Sequence, residues 1–275
     1  MTYDLPSPTE ARRLEPAALR EAFLLPGLFR SGALTLHVTT LDRAVLGGVV
    51  PTTASIPLGA PAELAAAYFT ERRELGVLNI GAAGTVRVDG TEYALGERDM
   101  LYIGRGNKDI TFSSETANNP ARFYLVSYPA HAAHPVKLVR RADANLTILG
   151  AAESANRREL RKYIHPGAVP SGQLVMGVTE MQTGSVWNTM PPHTHTRRSE
   201  VYLYFDLPAD AAVVHLMGEP DATRSLIIRN EEAVLSPPWS IHAGCGTQAY
   251  AFCWAMGGEN QDFADMQAAP IPSLR

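Results

Sequence analysis

Residues 191–205 read PPHTHTRRSEVYLYF, and this stretch gives the first indication of both fold and chemistry. Alternate residues of a β-strand face the same way, so His193 and His195 can direct two imidazoles at one point. Glu200 precedes the strand-like run VYLYF and can add a carboxylate from a neighbouring strand. Further on, SPPWSIHAGCG holds His242 between prolines and glycines. Three imidazoles and one carboxylate suit zinc, iron, manganese or nickel, so the sequence predicts a metal site.

Other interpretations of these residues have less support. An isolated His-x-His pair is often a surface pair or a core position, but Glu200 and His242 at this spacing favour a metal site. A nucleophilic triad is not indicated, because the chain has no Gly-x-Ser-x-Gly elbow. Neither Cys245 nor Cys253 has a CxxC partner, so no disulfide framework is expected.

Length and composition are those of a globular protein with one large or two medium domains. The chain has 275 residues, of which 45% are hydrophobic and 19% charged. Its net charge of −4 argues against a nucleic-acid surface, which needs a basic face. The polar N-terminus offers no secretory signal, and no apolar run reaches the roughly 20 residues of a membrane span. We therefore expect a cytoplasmic protein without nucleic-acid or membrane partners.

Short β-rich runs bounded by Gly, Pro, Asn or Asp dominate the chain. Ser7 and Glu10 predict a capping box, followed by a short helix over residues 17–23. The sequence Asp89-Gly90 predicts a hairpin turn. Strands are predicted over residues 34–40, 44–50, 75–81, 84–90, 99–104, 109–114, 122–128, 173–181, 185–190, 200–207, 211–218, 223–230, 232–236 and 249–256. Many short strands at this spacing indicate sandwiches or barrels.

The two halves of the chain look like copies of one unit. We expect an N-terminal unit over residues 1–145, a connector over 146–168 with a helix-like segment at 154–164, and a C-terminal unit over 169–275. A hand alignment sets Glu74 on Glu200 and Leu101 on Leu235. The same alignment places three residues of the first half on the histidines of the second: Ala67 on His193, Phe69 on His195 and Lys108 on His242. The first unit is therefore expected to be a scaffold without metal.

The spacing His-x-His-x4-Glu followed by a distant His resembles the metal motif of the cupin superfamily. Longer blocks, among them ERRELGVLNIGAAGTVRVDG, NTMPPHTHTRRSEVYLYF and GENQDFADM, resemble the family of 4-deoxy-L-threo-5-hexosulose-uronate ketol-isomerases, also called 5-keto-4-deoxyuronate isomerases. The resemblance implies an all-β bicupin, with two double-stranded β-helix (jelly-roll) barrels and a few short helices. It also implies a homohexamer with one zinc ion per subunit, held by the metal ligands of the family at His193, His195, Glu200 and His242.

The implied reaction interconverts 5-dehydro-4-deoxy-D-glucuronate and 3-deoxy-D-glycero-2,5-hexodiulosonate in the degradation of pectin and related uronates. Three alternatives stay open from the sequence. They are a 5-deoxyglucuronate isomerase of inositol catabolism, an Fe(II)-dependent cupin dioxygenase, and a sugar-binding cupin without activity. A metal-assisted isomerase moves a hydrogen between adjacent carbons, normally through an enediol, with the ion stabilising charge on the carbonyl oxygen, and the sequence does not distinguish proton from hydride transfer.

The sequence does not identify the general base. A metal-bound hydroxide, Glu71 and Glu74 are candidates, although a salt-bridge cluster is the simpler interpretation of the Glu-Arg-Arg-Glu segment. The carboxylate of a uronate calls for Arg or Lys, because a guanidinium binds it through two hydrogen bonds. Candidate substrate-binding residues are Arg198 first, then Lys162, Tyr163 and Trp239.

Overall fold

The structure of the chain is a computed structural model, which describes residues 2–262 and 264–275. Two α-helices lie near the N-terminus, α1 at Pro8–Ala11 and α2 at Pro16–Phe23. Short 3₁₀ turns occur at Ala62–Leu64, Arg141–Asp143, Pro220–Ala222 and Ile271–Ser273. The rest of the regular structure is β, which confirms the prediction of an all-β chain with a few short helices.

Twenty-four strands make up the β-structure of the described residues. The first twelve are β1 Thr2–Tyr3, β2 Leu24–Leu25, β3 Leu34–Thr39, β4 Val45–Val49, β5 Ile56–Pro57, β6 Arg73–Asn79, β7 Gly84–Val88, β8 Thr91–Leu95, β9 Met100–Ile103, β10 Ile110–Ser114, β11 Phe123–Pro129 and β12 Lys137–Val139. The others are β13 Asn145–Leu149, β14 Arg158–Ile164, β15 Val175–Met181, β16 Trp187–Asn188, β17 His193–Thr194, β18 Arg198–Phe205, β19 Val213–Met217, β20 Arg224–Ile228, β21 Glu232–Ser236, β22 Ala243–Gly246, β23 Ala251–Gly258 and β24 Gln267–Ala268.

The chain divides into two compact units that are not consecutive segments. The first unit contains residues 2 and 3, Gly27–Asn145 and Tyr163–Met176. Its strands form a seven-stranded sheet in the order β1-β3-β4-β11-β6-β9-β12 and a four-stranded sheet in the order β5-β10-β7-β8. Apolar side chains from both sheets, among them Leu75, Val77, Phe112 and Phe123, form the buried core of this unit.

The second unit contains Asp4–Pro26, Leu146–Lys162 and Gly177–Arg275. Its main sheet has the order β13-β14-β15-β23-β18-β21-β2, and a four-stranded sheet has the order β16-β22-β19-β20. A two-stranded sheet of β17 and β24 completes it. Helix α2 belongs to this unit although it precedes most of the first unit in sequence, because it buries Leu19 and Phe23 there and β2 pairs with β21.

Local sequence signals correspond closely to the structure. The Ser7 hydroxyl accepts a hydrogen bond from the Glu10 amide, and the Glu10 carboxylate accepts one from the Ser7 amide, which confirms the capping box. Strands β7 and β8 form a hairpin, and both turn residues, Asp89 and Gly90, have positive φ of 46° and 89°. Positive φ at both positions is what a two-residue turn of this hand requires, so the predicted hairpin is confirmed.

The helix predicted at residues 154–164 is wrong, since Arg158–Ile164 form strand β14 of the second main sheet. Leu160, Tyr163 and Ile164 have the i, i+3, i+4 spacing of a helix face, and this spacing produced the error. The segment is extended instead, and β14 lies between β13 and β15. Pairing on both sides supplies the backbone hydrogen bonds that a helix would have made within itself.

The two units share one strand plan, which gives a register for comparing them. Strand β6 lies between β11 and β9, as β18 lies between β23 and β21. Leu75 pairs with Ile103, and Val201 pairs with Leu235. With Glu74 set on Glu200, the counterpart of Leu235 is therefore Ile103.

The hand alignment that put Leu101 on Leu235 is wrong by two residues. Ile110 lies seven positions after Ile103, as His242 lies seven positions after Leu235. Ile110, which is 2% exposed, is therefore the counterpart of His242 in place of Lys108, which is exposed. Phe69, the predicted counterpart of His195, also lies in the core cluster of the first unit.

No helix among residues 2–262 and 264–275 is long and apolar enough to cross a bilayer.

Candidate metal centre

Four predicted ligands meet at one point in the second unit. Their donor atoms all lie within 4.8 Å of one another. Among the described residues, this is the one group of three or more His, Cys, Asp or Glu side chains that could hold a metal ion. His193 Nε2 lies 3.1 Å from His195 Nε2 and 3.1 Å from His242 Nε2. Glu200 Oε2 lies 3.0 Å from His195 Nε2 and 2.8 Å from His242 Nε2. Donors that share one ion at about 2.1 Å lie about 3 to 4 Å apart, so the spacing suits a single cation.

Separate elements deliver the four side chains. His193 lies in β17, where it pairs with Ala268 of β24. Glu200 lies in β18 opposite Ser236 of β21, and His242 immediately precedes β22. The loop between His195 and Glu200 is fixed by Thr196, whose amide and hydroxyl both donate to the Gln267 side chain at 2.8 and 2.7 Å. The ligands are therefore held by paired strands and side-chain contacts.

Burial governs the charge state of the centre. His195, Glu200 and His242 are 4%, 5% and 1% exposed. Burial opposes ionisation of Glu200, but the imidazoles of His242 and His195 beside the carboxylate outweigh it and lower the pKa of the carboxyl. Burial, followed by repulsion from His242, lowers the pKa of His193 to about 3. An anionic carboxylate beside a neutral imidazole is the state that binds a cation.

The imidazoles are also contacted at their outer nitrogens. His195 Nδ1 lies 3.4 Å from the Asp265 carbonyl oxygen and 3.2 Å from Arg198 Nη2. In the Nδ1–H tautomer, which leaves Nε2 free for a metal, the ring donates to the carbonyl oxygen, and the Arg198 guanidinium, itself only a donor, packs beside the ring. His242 Nδ1 lies 3.3 Å from the Ser236 hydroxyl. These contacts orient the rings towards the common point.

The cluster opens into a cavity of ≈ 330 Å³ within the second unit. The cavity wall includes three of the four candidate ligands, His193, His195 and Glu200. Its other polar residues are Arg158, Thr179, Thr189 and Tyr202, and its apolar residues are Leu149, Leu160, Met190, Pro191, Phe252, Trp254, Met256 and Met266. A site of this size that combines apolar walls with a few polar groups is suited to a small molecule.

The predicted substrate-binding residues lie elsewhere than on this wall. Arg198 is buried behind His195, and its Nε and Nη1 have no hydrogen-bond partner among the described residues. The Tyr163 hydroxyl donates to the Arg98 carbonyl oxygen at 2.7 Å in the first unit. Trp239 packs edge-on against Phe23 at 6.1 Å. The described residues that line the cavity include none of these, nor Lys162.

Two polar residues of the cavity wall, Arg158 and Tyr202, are functional candidates that were not predicted from the sequence. Arg158 is the cation among the described lining residues, and it was missed because its segment was assigned to a helix. Tyr202 is 3% exposed, and its hydroxyl lies 3.3 Å from that of Thr189. Burial and the nearby Glu200 carboxylate raise the pKa of Tyr202 well above its ordinary value, so the phenol stays protonated. The alternation Glu200-x-Tyr202 along β18 was the signal that could have identified it.

The two base candidates of the first unit have other partners. The Glu74 carboxylate is fully buried and accepts hydrogen bonds from Tyr102 and from three backbone amides at residues 172–174. Glu71 accepts a hydrogen bond from the Ala67 amide at 2.7 Å and pairs with Arg72 at 3.3 Å. Neither is among the described residues that line the cavity of the metal centre.

Curated relatives match almost the whole chain. A 4-deoxy-L-threo-5-hexosulose-uronate ketol-isomerase of Opitutus terrae is 53% identical over 271 residues, covering 98% of each protein. Enzymes with the same name from Lachnoclostridium phytofermentans and Formosa agariphila are 51% and 50% identical over 269 residues, 98% of this chain. They cover 98% and 96% of those proteins.

Solved structures support the fold at low sequence identity. An IolB-like protein of Salmonella typhimurium LT2 matches with a TM-score of 0.67 and 13% identity, over 82% of this chain and 87% of that one. Oxalate decarboxylase of Bacillus subtilis, a protein with Mn(II) centres, matches with a TM-score of 0.57 and 8% identity, over 82% of this chain and 71% of that one. The predicted bicupin architecture is confirmed.

The family assignment rests on a match that spans most of the chain. The sequence profile of the KduI/IolB family matches residues 27–270, which include all four residues of the candidate metal centre. The resemblance inferred from the sequence blocks is confirmed by this profile together with the relatives at about 50% identity. The chain belongs to the KduI/IolB family.

Proposed function

We propose that the chain is a metal-dependent 4-deoxy-L-threo-5-hexosulose-uronate ketol-isomerase. It interconverts 5-dehydro-4-deoxy-D-glucuronate and 3-deoxy-D-glycero-2,5-hexodiulosonate in the degradation of pectin and related uronates. The observation that carries the proposal is the convergence of His193, His195, Glu200 and His242 at a cavity of small-molecule size. Relatives named for this isomerase, at about 50% identity over nearly the whole chain, support the substrate.

The donor set fits a divalent cation, and we propose one zinc ion per subunit. Nitrogen donors from three histidines with one carboxylate are typical zinc ligands. When bound, the ion supplies Lewis acidity, which stabilises negative charge on a substrate oxygen and fixes the orientation of adjacent oxygens. The protein's part is to keep Glu200 anionic and the imidazoles aimed inward, as the contacts of Ser236 and the Asp265 carbonyl do.

Tyr202 contributes a neutral hydrogen-bond donor to the same cavity. Its phenol remains protonated because it is buried near an anionic carboxylate. A protonated phenol can donate to a substrate oxygen as that oxygen gains negative charge during proton transfer between adjacent carbons. The apolar wall around it, including Phe252 and Trp254, excludes water and strengthens the interaction.

We propose that Arg158 binds the substrate carboxylate. One of its nitrogens, Nη1, donates to the Asn156 carbonyl oxygen at 2.7 Å, which fixes the direction of the side chain. Burial lowers the pKa of Arg158, yet a guanidinium keeps its charge at neutral pH. A uronate entering this cavity needs a cation for its carboxylate, and the Arg158 guanidinium lies on the cavity wall. In this proposal Arg198 packs against the His195 ring and does not bind substrate.

The remaining features are proposed from the family resemblance. We propose a cytoplasmic homohexamer in which each second unit holds one metal ion and each first unit holds none. The apolar residues Phe69 and Ile110 at the positions of His195 and His242 support a first unit without metal.

The test of this function is a coupled isomerase assay on unsaturated uronate produced by a lyase, with and without chelator. We expect turnover with zinc under anaerobic conditions, loss of turnover with chelator, and recovery when zinc is added back. Oxygen consumption that requires added iron would instead indicate a dioxygenase. Faster turnover of 5-deoxyglucuronate in the same preparation would assign the chain to the inositol pathway. Tight uronate binding without any turnover would indicate a binding protein.

The role of Arg158 is tested by replacing it with glutamine. We expect KM for the uronate to rise about 100-fold, which corresponds to about 3 kcal/mol of lost binding, with a smaller change in kcat. Arg158→Lys should recover part of the loss, since it restores the charge but not the paired hydrogen bonds. Arg157→Gln is the matched control, because Arg157 is exposed and its backbone lies next to the same strand. Equal KM values for the two glutamine variants would refute the assignment.

A further inference from the structure

A second cavity, of ≈ 560 Å³, lies wholly within the first unit. Among the described residues that line it are four arginines and a single acidic residue: Arg43, Arg72, Arg73, Arg105 and Glu63. The side chains around the cavity therefore carry an excess of positive charge. Nothing in the proposed isomerase chemistry uses this region, since the metal ligands all lie in the second unit.

Arg73 is the most informative of these residues. It is 6% exposed, and its Nε donates to the Ser127 hydroxyl at 3.1 Å. Its Nη2 donates to the carbonyl oxygens of Arg43 and Ser127 at 2.6 and 2.8 Å. Every one of these acceptors is neutral, and no carboxylate of the described residues pairs with this guanidinium. Burial lowers the pKa of Arg73 to about 10, so it is still cationic at neutral pH.

Arg105 is held in the same way. Its Nε donates to the Glu71 carbonyl oxygen at 3.1 Å, and its Nη1 donates to the carbonyl oxygens of Ala130 and His131 at 3.3 and 3.1 Å. Three backbone acceptors fix the plane of the guanidinium and leave its charge without a carboxylate among the described residues. Two guanidiniums are thus oriented by the fold beside one cavity.

Buried charges in proteins are ordinarily paired, because an isolated ion loses its hydration without compensation. A buried guanidinium with only neutral partners is therefore stabilised when an anion enters the cavity beside it. Guanidinium groups bind carboxylates and phosphates through paired hydrogen bonds. A volume of ≈ 560 Å³ is within the range of small-molecule sites. We propose that this cavity binds a small molecule bearing a carboxylate or phosphate group, at a site separate from the candidate metal centre.

The test is isothermal titration calorimetry on the full-length, zinc-loaded protein with two probes, inorganic phosphate and D-glucuronate. Arg105→Gln is the test variant, and Arg87→Gln is the matched control because Arg87 is an exposed arginine of the same unit outside the cavity lining. We expect at least one probe to bind, with a Kd at least tenfold weaker in Arg105→Gln and unchanged in Arg87→Gln. If Arg105→Gln does not fold, Arg72→Gln at the exposed rim is expected to weaken binding about threefold.

The two probes identify the ligand class. Binding of phosphate alone that depends on Arg105 indicates a phosphorylated ligand, and binding of glucuronate alone indicates a sugar acid. Glucuronate bound at the metal centre is recognised by its sensitivity to Arg158→Gln and its insensitivity to Arg105→Gln. The proposal is overturned if neither probe binds, or if binding is equal in Arg105→Gln and Arg87→Gln. Loss of isomerase activity in the assay described above leaves this result unaffected.

Discussion

Glu74 and Glu200 occupy corresponding places in the two units, near the start of β6 and of β18. Both strands lie between two partners in the same order within a seven-stranded sheet. Both side chains are buried, at 0% and 5% exposure. Their surroundings differ. Glu200 has imidazole nitrogens at 3.0 and 2.8 Å, whereas Glu74 has a phenol and three backbone amides at 2.5 to 2.8 Å.

The difference shows how neighbours decide what a buried carboxylate does. The donors around Glu74 carry their own hydrogens, so they satisfy the anion without any further ion. The imidazoles around Glu200 each have a lone pair to offer once Nε2 is unprotonated, so they and the carboxylate are all electron donors crowded together. Such a group is stable when a cation lies between its members. One carboxylate thus fastens loop residues 172–174 to its strand, while the other completes a candidate metal centre.

The largest expected effect comes from removing a ligand of the metal centre. His193→Ala or His242→Ala should lose bound zinc and all detectable turnover, because loss of even one preorganised electrostatic contact typically costs about 3 kcal/mol of barrier. The β-fold should persist, since the strands around the site are paired along their length. Elemental analysis of the purified variants and circular dichroism check this expectation. Full zinc content in either variant would refute the ligand assignment.

The two glutamates give a matched pair of substitutions. Glu74→Gln should lower the free energy of unfolding by about 4 kcal/mol, because the amide presents an NH₂ group to donors that need an acceptor. Zinc content should stay unchanged. Glu200→Gln should have the opposite result, with zinc and activity lost and a smaller change in stability of the metal-free protein. Urea unfolding and metal analysis of both variants distinguish the two roles, and identical behaviour of the pair would break the comparison.

The register between the units predicts a third contrast. Ile110 is buried at the position of His242, so Ile110→Ala should lower the free energy of unfolding by about 3 kcal/mol through the cavity it leaves. Lys108 is exposed, so Lys108→Ala should change it by less than about 0.5 kcal/mol. Thermal or urea unfolding of the two variants measures both values. Equal changes in the free energy of unfolding for the two variants would contradict the register that places Ile110, and not Lys108, at the position of His242.

This register illustrates what the sequence could and could not predict. The quartet was predictable because alternation fixes the directions of His193 and His195, and few residues other than ligands follow such a spacing. The shift by two residues was not, because strand faces repeat every two residues and Leu101 and Ile103 are equally apolar. The cavity wall was hidden for a similar reason, since Arg158 and Leu160 lie on a strand whose apolar spacing also suits a helix. Local pattern leaves such choices open, and strand pairing across the sheet decides them.

The smallest expected effect concerns His215, which pairs with Gly244, two residues after His242. In the first unit Val86 pairs with Phe112, two residues after Ile110, so the apolar Val86 takes the place of His215. Its Nδ1 lies 2.8 Å from the Tyr204 hydroxyl, and burial lowers the pKa of the ring to about 3. The unfolded chain takes up a proton on this residue below pH of about 6.5, whereas the folded chain does not until about pH 3. The free energy of unfolding should therefore fall with falling pH across this interval.

His215→Gln keeps an acceptor for Tyr204 but cannot be protonated. As the pH falls from 6 to 4, the free energy of unfolding of this variant should decrease by about 1 kcal/mol less per pH unit than that of the wild type. One titrating group contributes at most about 1.4 kcal/mol per pH unit. Urea unfolding at several pH values, with both proteins stripped of metal, removes the contribution of ligand protonation to the difference. Parallel pH profiles would mean that His215 accepts a proton in the folded barrel. The second unit would then tolerate charge at a position where the first has only a hydrocarbon side chain.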